Sequence, residues 1–184
     1  KHRHQNGGCT GVAGTLMSNL GMEKSLNALK IPFVRTQVGD RHIIEALRDR
    51  KWKLGGESSG HIVCSDLTTT GDAIVAALQV LYAMRDTSIP LNTLKKEMQK
   101  YPQSMINVPI KGDFNLKNYP NIINAINEAE SELKEKGRIL LRPSGTEPLV
   151  RIMVEGEDPY LVEKIAKRVA GVVEAEAKIS CREL

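Results

Sequence analysis

The sequence predicts an α/β fold in two parts. A mixed-sheet α/β domain occupies residues 1–88, and an α+β domain with helices over an antiparallel sheet occupies residues 101–184. A hinge helix over residues 89–100 joins them. Three observations carry this prediction. Apolar, strand-like runs alternate with helix-like ones through the first half, as in an α/β layer. Asp86-Thr87-Ser88-Ile89-Pro90 breaks the pattern with turn-forming residues. Beyond it the order changes to strand, helix, two consecutive strands and a last helix, which suits helices stacked on one face of an antiparallel sheet.

In the first half, Gly11–Met17 reads as a buried strand, and Asn19–Lys30 reads as a helix with Leu20, Leu26 and Leu29 among its apolar residues. Pro32–Val38 is a strand. Gly39 supplies a turn and Asp40 an N-cap for a helix over Arg41–Arg50. Short strands at Lys53–Gly55 and His61–Ser65 flank a glycine-rich loop. The strongest helix covers Asp72–Met84, where Ile74, Val75, Leu78, Leu81 and Tyr82 recur at helical spacing. Thr70 is its expected N-cap, with Asp72 in the positive first turn. The hinge helix follows at Leu91–Lys100.

The second half reads as a strand over Ser104–Lys111, a helix over Asn121–Lys136, strands over Arg138–Leu141 and Leu149–Glu155, and a helix over Pro159–Ala177. Asp158-Pro159 places an N-cap before a proline at the first helical position. Val162, Ile165, Val169 and Val172 are expected on the buried face.

Composition narrows the function classes. Hydrophobic residues make up 41 %, but aromatics only 4 %, so aliphatic side chains must fill the cores. No basic stripe with interleaved aromatics accompanies the net charge of +4, which argues against nucleic-acid binding. No apolar run approaches the length of a membrane span, so no membrane partner is expected. Cys9, Cys64 and Cys181 lie far apart without metal-ligand spacing and read as reduced thiols of a cytoplasmic protein, Cys64 as a small core residue. Lys1-His2-Arg3-His4 reads as a solvated terminus.

Two segments carry chemistry. The first is Arg142-Pro143-Ser144-Gly145-Thr146-Glu147-Pro148 with Arg151 three residues on. Two hydroxyls and a glycine sit between arginines whose planar forks match phosphate oxygens. Alternation places Val150, Ile152 and Val154 toward a core and Arg151 away from it. A clamp for a phosphate, formed by Arg142, Ser144, Gly145, Thr146 and Arg151, is the functional expectation. A plain turn with its arginines paired to surface acids is the structural alternative.

The second segment is Gly55-Gly56-Glu57-Ser58-Ser59-Gly60-His61. A carboxylate and a hydroxyl two residues apart can accept from and donate to neighbouring sugar hydroxyls. The imidazole can move a proton near neutral pH. A solvated histidine at the start of a strand is the alternative for His61.

With Thr68–Leu81, Gly14-Thr15-Leu16-Met17-Ser18-Asn19 and Val38-Gly39-Asp40-Arg41, these segments resemble the α-D-phosphohexomutases, in the same order and at similar spacing from about Gly11 to about Val173. The resemblance is closest to the bacterial members that act on glucosamine phosphates. It implies an enzyme that interconverts glucosamine 6-phosphate and glucosamine 1-phosphate through a phosphoserine and a bisphosphate intermediate, a step toward cell-wall precursors. It also implies a Mg²⁺ cofactor in the full-length enzyme, held by an aspartate-rich loop. Neither the serine loop nor the aspartate-rich loop appears here, and no two aspartates stand two apart. The chain then resembles a C-terminal part, incomplete at the start of its first domain, partnered by N-terminal domains of the same protein and inactive alone. In this reading Glu57 and Ser59 bind sugar, Gly39, Asp40 and Arg41 form a further sugar-side loop, and His61 is the acid or base. Ser58 stands where an amide is common in the glucosamine branch. The glucose- and mannose-phosphate branches therefore remain alternatives, as does a stand-alone sugar-phosphate-binding module.

Overall fold

The computed structural model describes residues 1–110, 114–145 and 147–180, the side chains of the last two excepted. It divides into two compact units, Lys1–Lys100 and Tyr101–Leu184.

The first unit is built on a four-stranded sheet of order β2-β1-β3-β4. Its strands are β1 (Val12–Thr15), β2 (Phe33–Thr36), β3 (Leu54–Gly56) and β4 (Ile62–Cys64). β1 pairs in parallel with β2 and β3, and β4 returns antiparallel to β3, so the sheet is mixed. Because β1 is central, all four of its residues are buried, and alternation sends them to opposite faces. Val12 packs with Cys9, Ile31, Leu26 and Phe33 on the side of α2 (Leu20–Ala28). Ala13 packs with Ile43, Ala46, Leu47 and Val63 on the side of α3 (Asp40–Arg50).

Four local expectations change. α1 (His2–Gln5) is a short helix whose side chains are engaged rather than solvated: Arg3 pairs with Asp66 at 2.6 Å and His2 with Asp86 at 2.8 Å. α4 (Ala73–Thr87) is capped by Asp72, not Thr70. The Asp72 carboxylate accepts from the Ile74 and Val75 N–H groups, which a carboxylate in β conformation just before the helix reaches directly. The apolar stripe of α4 is exposed, with Ile74 at 73 % and Leu81 at 57 %, while only Ala76 is buried. Helical spacing thus located the helix without saying which face has a neighbour among the described residues. The hinge region is a single turn of α-helix, α5 (Leu91–Leu94), followed by a 3₁₀ turn at Lys95–Glu97.

The second unit has a three-stranded antiparallel sheet of order β5-β7-β6, made from β5 (Gln103–Pro109), β6 (Gly137–Pro143) and β7 (Leu149–Gly156). Val150, Ile152 and Val154 of the central strand are fully buried. They pack with Val108, Ile122, Ala129, Ile165 and Val169 beneath α6 (Pro120–Leu133) and α7 (Pro159–Ser180). Asp158 caps α7, accepting from the Tyr160 N–H, and Pro159 opens it. Val173 rather than Val172 completes the buried face of α7. The opposite face of the sheet carries Leu149, Arg151, Met153 and Glu155, and there the buried Glu155 pairs with Arg138 of β6.

Candidate functional site

In the first unit the glycine-rich loop is the turn of the β3–β4 hairpin. The Glu57 N–H donates to the His61 carbonyl at 2.9 Å, and the Gly60 N–H donates back to the Glu57 carbonyl at 3.1 Å. Gly60 has φ +102°, a conformation that a side chain resists, so glycine closes the turn here. The short loop sets Glu57, Ser59 and His61 on one rim.

Glu57 is the anchor of the cluster. Its side chain is only 10 % exposed. Oε1 accepts from the Gly39 N–H at 2.7 Å, and Oε2 accepts from the Ser59 hydroxyl at 3.0 Å. The bond to Gly39 ties the hairpin to the entrance of α3, where Gly39 takes φ +126°. Gly39, not Asp40, holds the N-cap position, and Asp40 is the first helical residue. Its carboxylate is therefore freed from capping and turns toward the hairpin. The His61 Nδ1 lies 3.7 Å from Asp40 Oδ1, 3.7 Å from Glu57 Oε2 and 3.3 Å from the Ser59 Oγ. The imidazole is 61 % exposed, so it can meet a ligand from solvent.

Gly39, Asp40, Glu57, Ser59 and His61 thus converge. Arg41 does not: its side chain is 85 % exposed and bonded to Glu45 at 2.8 Å, one turn along α3. That carboxylate raises the Arg41 pKa and is itself lowered by the pair. Thr68–Asp72 lies behind the hairpin. Gly71 bridges to Val63, and a Cβ placed on it would sit 3.6 Å from Asp40 Oδ2.

In the second unit the phosphate-clamp candidates sit where β6 turns into β7. Arg142 and Arg151 are direct cross-strand partners, so two guanidinium groups share one small area of the sheet face away from the helices. The Nε atoms of both are shielded from solvent and have no hydrogen-bond partner among the described residues. The Ser144 N–H donates to the Leu149 carbonyl at 2.8 Å and closes the turn. The Arg151 Nη2 reaches Glu147 at 2.9 Å and the Ser144 hydroxyl at 3.4 Å. The structural alternative for the turn is therefore half realised, since Arg151 has its surface acid. A Cβ on Gly145 would meet nothing within 4 Å, which leaves the turn open to a ligand. Thr146 lies outside the described residues.

Two supporting residues were not apparent from the sequence. Arg35 of β2 donates to the carbonyls of Thr15 and Ser18 and pairs with Glu23, pinning the turn after β1. Asn107 of β5 lies opposite Arg151 on the other flank. Neither stands in a motif, and only strand register brings them in.

Comparison with known proteins follows the two-unit division. The pattern of the phosphoglucomutase/phosphomannomutase alpha/beta/alpha domain III matches residues 1–101, and that of the phosphoglucomutase/phosphomannomutase C-terminal domain matches residues 105–172. The chain is 57 % identical over 173 residues to a phosphoglucosamine mutase of Teredinibacter turnerae, covering 94 % of this chain and 39 % of that one. It is 56 % identical over 169 residues to that of Cellvibrio japonicus, covering 92 % and 38 %. The chain thus spans under two-fifths of the length of these relatives. Among solved structures, its fold is like that of Aspergillus fumigatus N-acetylphosphoglucosamine mutase in complex with GlcNAc-6P and magnesium. The TM-score is 0.78 at 22 % identity, over 96 % of this chain and 41 % of that one.

Proposed function

The chain belongs to the phosphoglucomutase/phosphomannomutase family, and we propose that it is the sugar- and phosphate-recognising C-terminal portion of a phosphoglucosamine mutase. The observation that carries the reading is the opposed pair Arg142 and Arg151, each with a shielded Nε that has no partner among the described residues. Two like charges in register oppose folding, and an anion between them would offset that cost. A phosphate, with oxygens for both forks, is the anion that fits, with Ser144, Gly145 and Thr146 supplying further donors.

Glu57 and Ser59 would engage adjacent sugar hydroxyls, and Gly39 and Asp40 would back them. Arg41 serves this role only by leaving Glu45. His61, exposed and within reach of two carboxylates, would hold or move a proton at the reacting oxygen. The glucosamine preference rests on the names of the relatives. In the longer protein a phosphoserine would give its phosphoryl group to glucosamine 6-phosphate or glucosamine 1-phosphate. The bisphosphate formed would then turn around and return its other phosphate. We place that serine and the aspartate-rich Mg²⁺ loop in the additional length of the relatives. Mg²⁺ there would neutralise charge on the moving phosphoryl group. The setting is cytoplasmic supply of a cell-wall precursor. Among the described residues no helix is long and apolar enough to cross a membrane.

The test is kinetic, in the longer protein. His61→Ala should lower turnover by about 10²–10⁴-fold with little change in KM, if it transfers a proton. Glu57→Ala should act mainly on KM. Unchanged kinetics in both would overturn the assignment. Glucose 1-phosphate turned over faster than glucosamine 1-phosphate would move the protein to the glucose branch.

A further inference from the structure

We propose that Asp40, Glu57 and His61 form a binding site for one divalent transition-metal ion of the zinc type. Each of the three residues offers a ligand atom within 4.8 Å of the other two, and Asp40 Oδ1, Glu57 Oε2 and His61 Nδ1 are the atoms we assign. Around a tetrahedral ion, bonds of about 2.0–2.2 Å set donor atoms about 3.4 Å apart. Nδ1 lies 3.7 Å from each carboxylate oxygen, so these two edges need a few tenths of an ångström, and the two carboxylates, within 4.8 Å of each other, close on the ion by side-chain rotation.

Two further observations point to a cation. Asp40 Oδ1 is shielded from solvent and has no hydrogen-bond partner among the described residues. Glu57 is nine-tenths buried, and among the described residues no lysine or arginine pairs with it or with Asp40. The nearby Arg41 is turned to Glu45. Two carboxylates in a partly buried cluster thus face one imidazole and, among the described residues, no lysine or arginine. Burying charge without a partner is costly, and a bound cation removes the cost.

The site is held ready. Gly39 fixes Oε1 of Glu57, and Oε2, held by the Ser59 hydroxyl, keeps a lone pair for the ion. The tight turn at Gly60 returns His61 opposite it. His61 would bind as the neutral imidazole, its proton on Nε2. Three protein ligands leave one position for water, as in open zinc sites. An imidazole among the ligands favours Zn²⁺, Ni²⁺ or Co²⁺ over Mg²⁺, so this site is distinct in kind from an aspartate-rich magnesium loop. The inference rests on the cluster alone and stands whether or not the same residues bind sugar. If they do, ion and sugar compete for Glu57 and His61.

The test is a Zn²⁺ titration of the 184-residue chain in metal-free buffer, followed by amide shifts and by calorimetry. To remove a competing terminus, the background carries His2→Ala and His4→Ala. The expected result is saturation at one equivalent, with shifts centred on Gly39, Asp40, Glu57, Gly60 and His61. His61→Ala and the isosteric Asp40→Asn, each checked for native amide dispersion, should abolish that saturation. Shifts confined to His42 and Glu45, no saturable binding, or binding unaltered by Asp40→Asn would each overturn the site. Failure of glucosamine 6-phosphate to shift the metal-free chain bears on the sugar reading only.

Discussion

Replacing Arg151 with glutamine should separate ligand binding from folding. Arg151 stands opposite Arg142, and directly opposed like charges destabilise a strand pair by roughly 0.2–1 kcal/mol. Its compensating ion pair is with Glu147, whose side chain is 56 % exposed, and exposed pairs contribute about 0.2–1 kcal/mol. The bond to the Ser144 hydroxyl is long, at 3.4 Å, and adds little. The two main terms oppose each other, so R151Q should change folding stability by less than about 1 kcal/mol. Binding has no such cancellation. Losing a charge-assisted hydrogen bond costs about 1.5–3 kcal/mol, or roughly 10–150-fold in phosphate affinity. The parent affinity is itself expected to be weak, on the order of millimolar, because inorganic phosphate engages one end of the site. The assay pairs a phosphate titration, read at the Ser144 and Gly145 amides, with urea unfolding of the same variant. Affinity within about twofold of the parent, or a stability loss above about 2 kcal/mol, would refute the clamp and make Arg151 a folding element.

The other predictions concern the framework and the missing chemistry. The 184-residue chain alone should show only background mutase rates in a coupled assay with glucosamine 1-phosphate and a bisphosphate activator; turnover that survives repurification contradicts this. Gly55→Ala should cost about 1–3 kcal/mol in urea unfolding, because its Cβ would lie 2.5 Å from Ile43 Cγ2 and 2.9 Å from the Ala13 carbonyl oxygen. Asp72→Ala should cost about 0.5–2 kcal/mol through loss of the α4 cap, and Thr70→Ala should cost much less. Cys9 and Cys64 are buried, and burial pushes the Cys64 thiol pKa up against the opposing pull of Arg3. Both should resist alkylation until the chain unfolds, and mass mapping of rapid labelling at either would contradict the packing.

What was legible in the sequence followed from period and punctuation. Val150, Ile152 and Val154 announced a core face by alternation, and Arg151 between them had to face away from it. Asp158-Pro159 marked the start of α7 because an N-cap and a proline at the first position are local requirements. The α4 cap is ambiguous in the sequence for a related reason: Thr70 and Asp72 are both good capping residues, and only the backbone conformation at Asp72 decides between them. Long-range facts were not legible. That Arg142 meets Arg151, that Gly39 holds Glu57, and that Asp40 turns from capping to face His61 all depend on register or on packing between distant segments. Arg41, adjacent to Asp40 in sequence, is led away by Glu45 one helical turn on, a pairing set by the helix and not by the loop before it.

The central claim is that this chain recognises a sugar phosphate through two distinct clusters. The most direct measurement is a titration of glucosamine 6-phosphate into the isotope-labelled 184-residue chain, followed residue by residue. The account predicts two sets of amide shifts, one at Gly39, Glu57, Ser59 and Gly60 and the other at Ser144 and Gly145, with inorganic phosphate moving only the second. Shifts scattered over the surface, or concentrated away from both clusters, would contradict it.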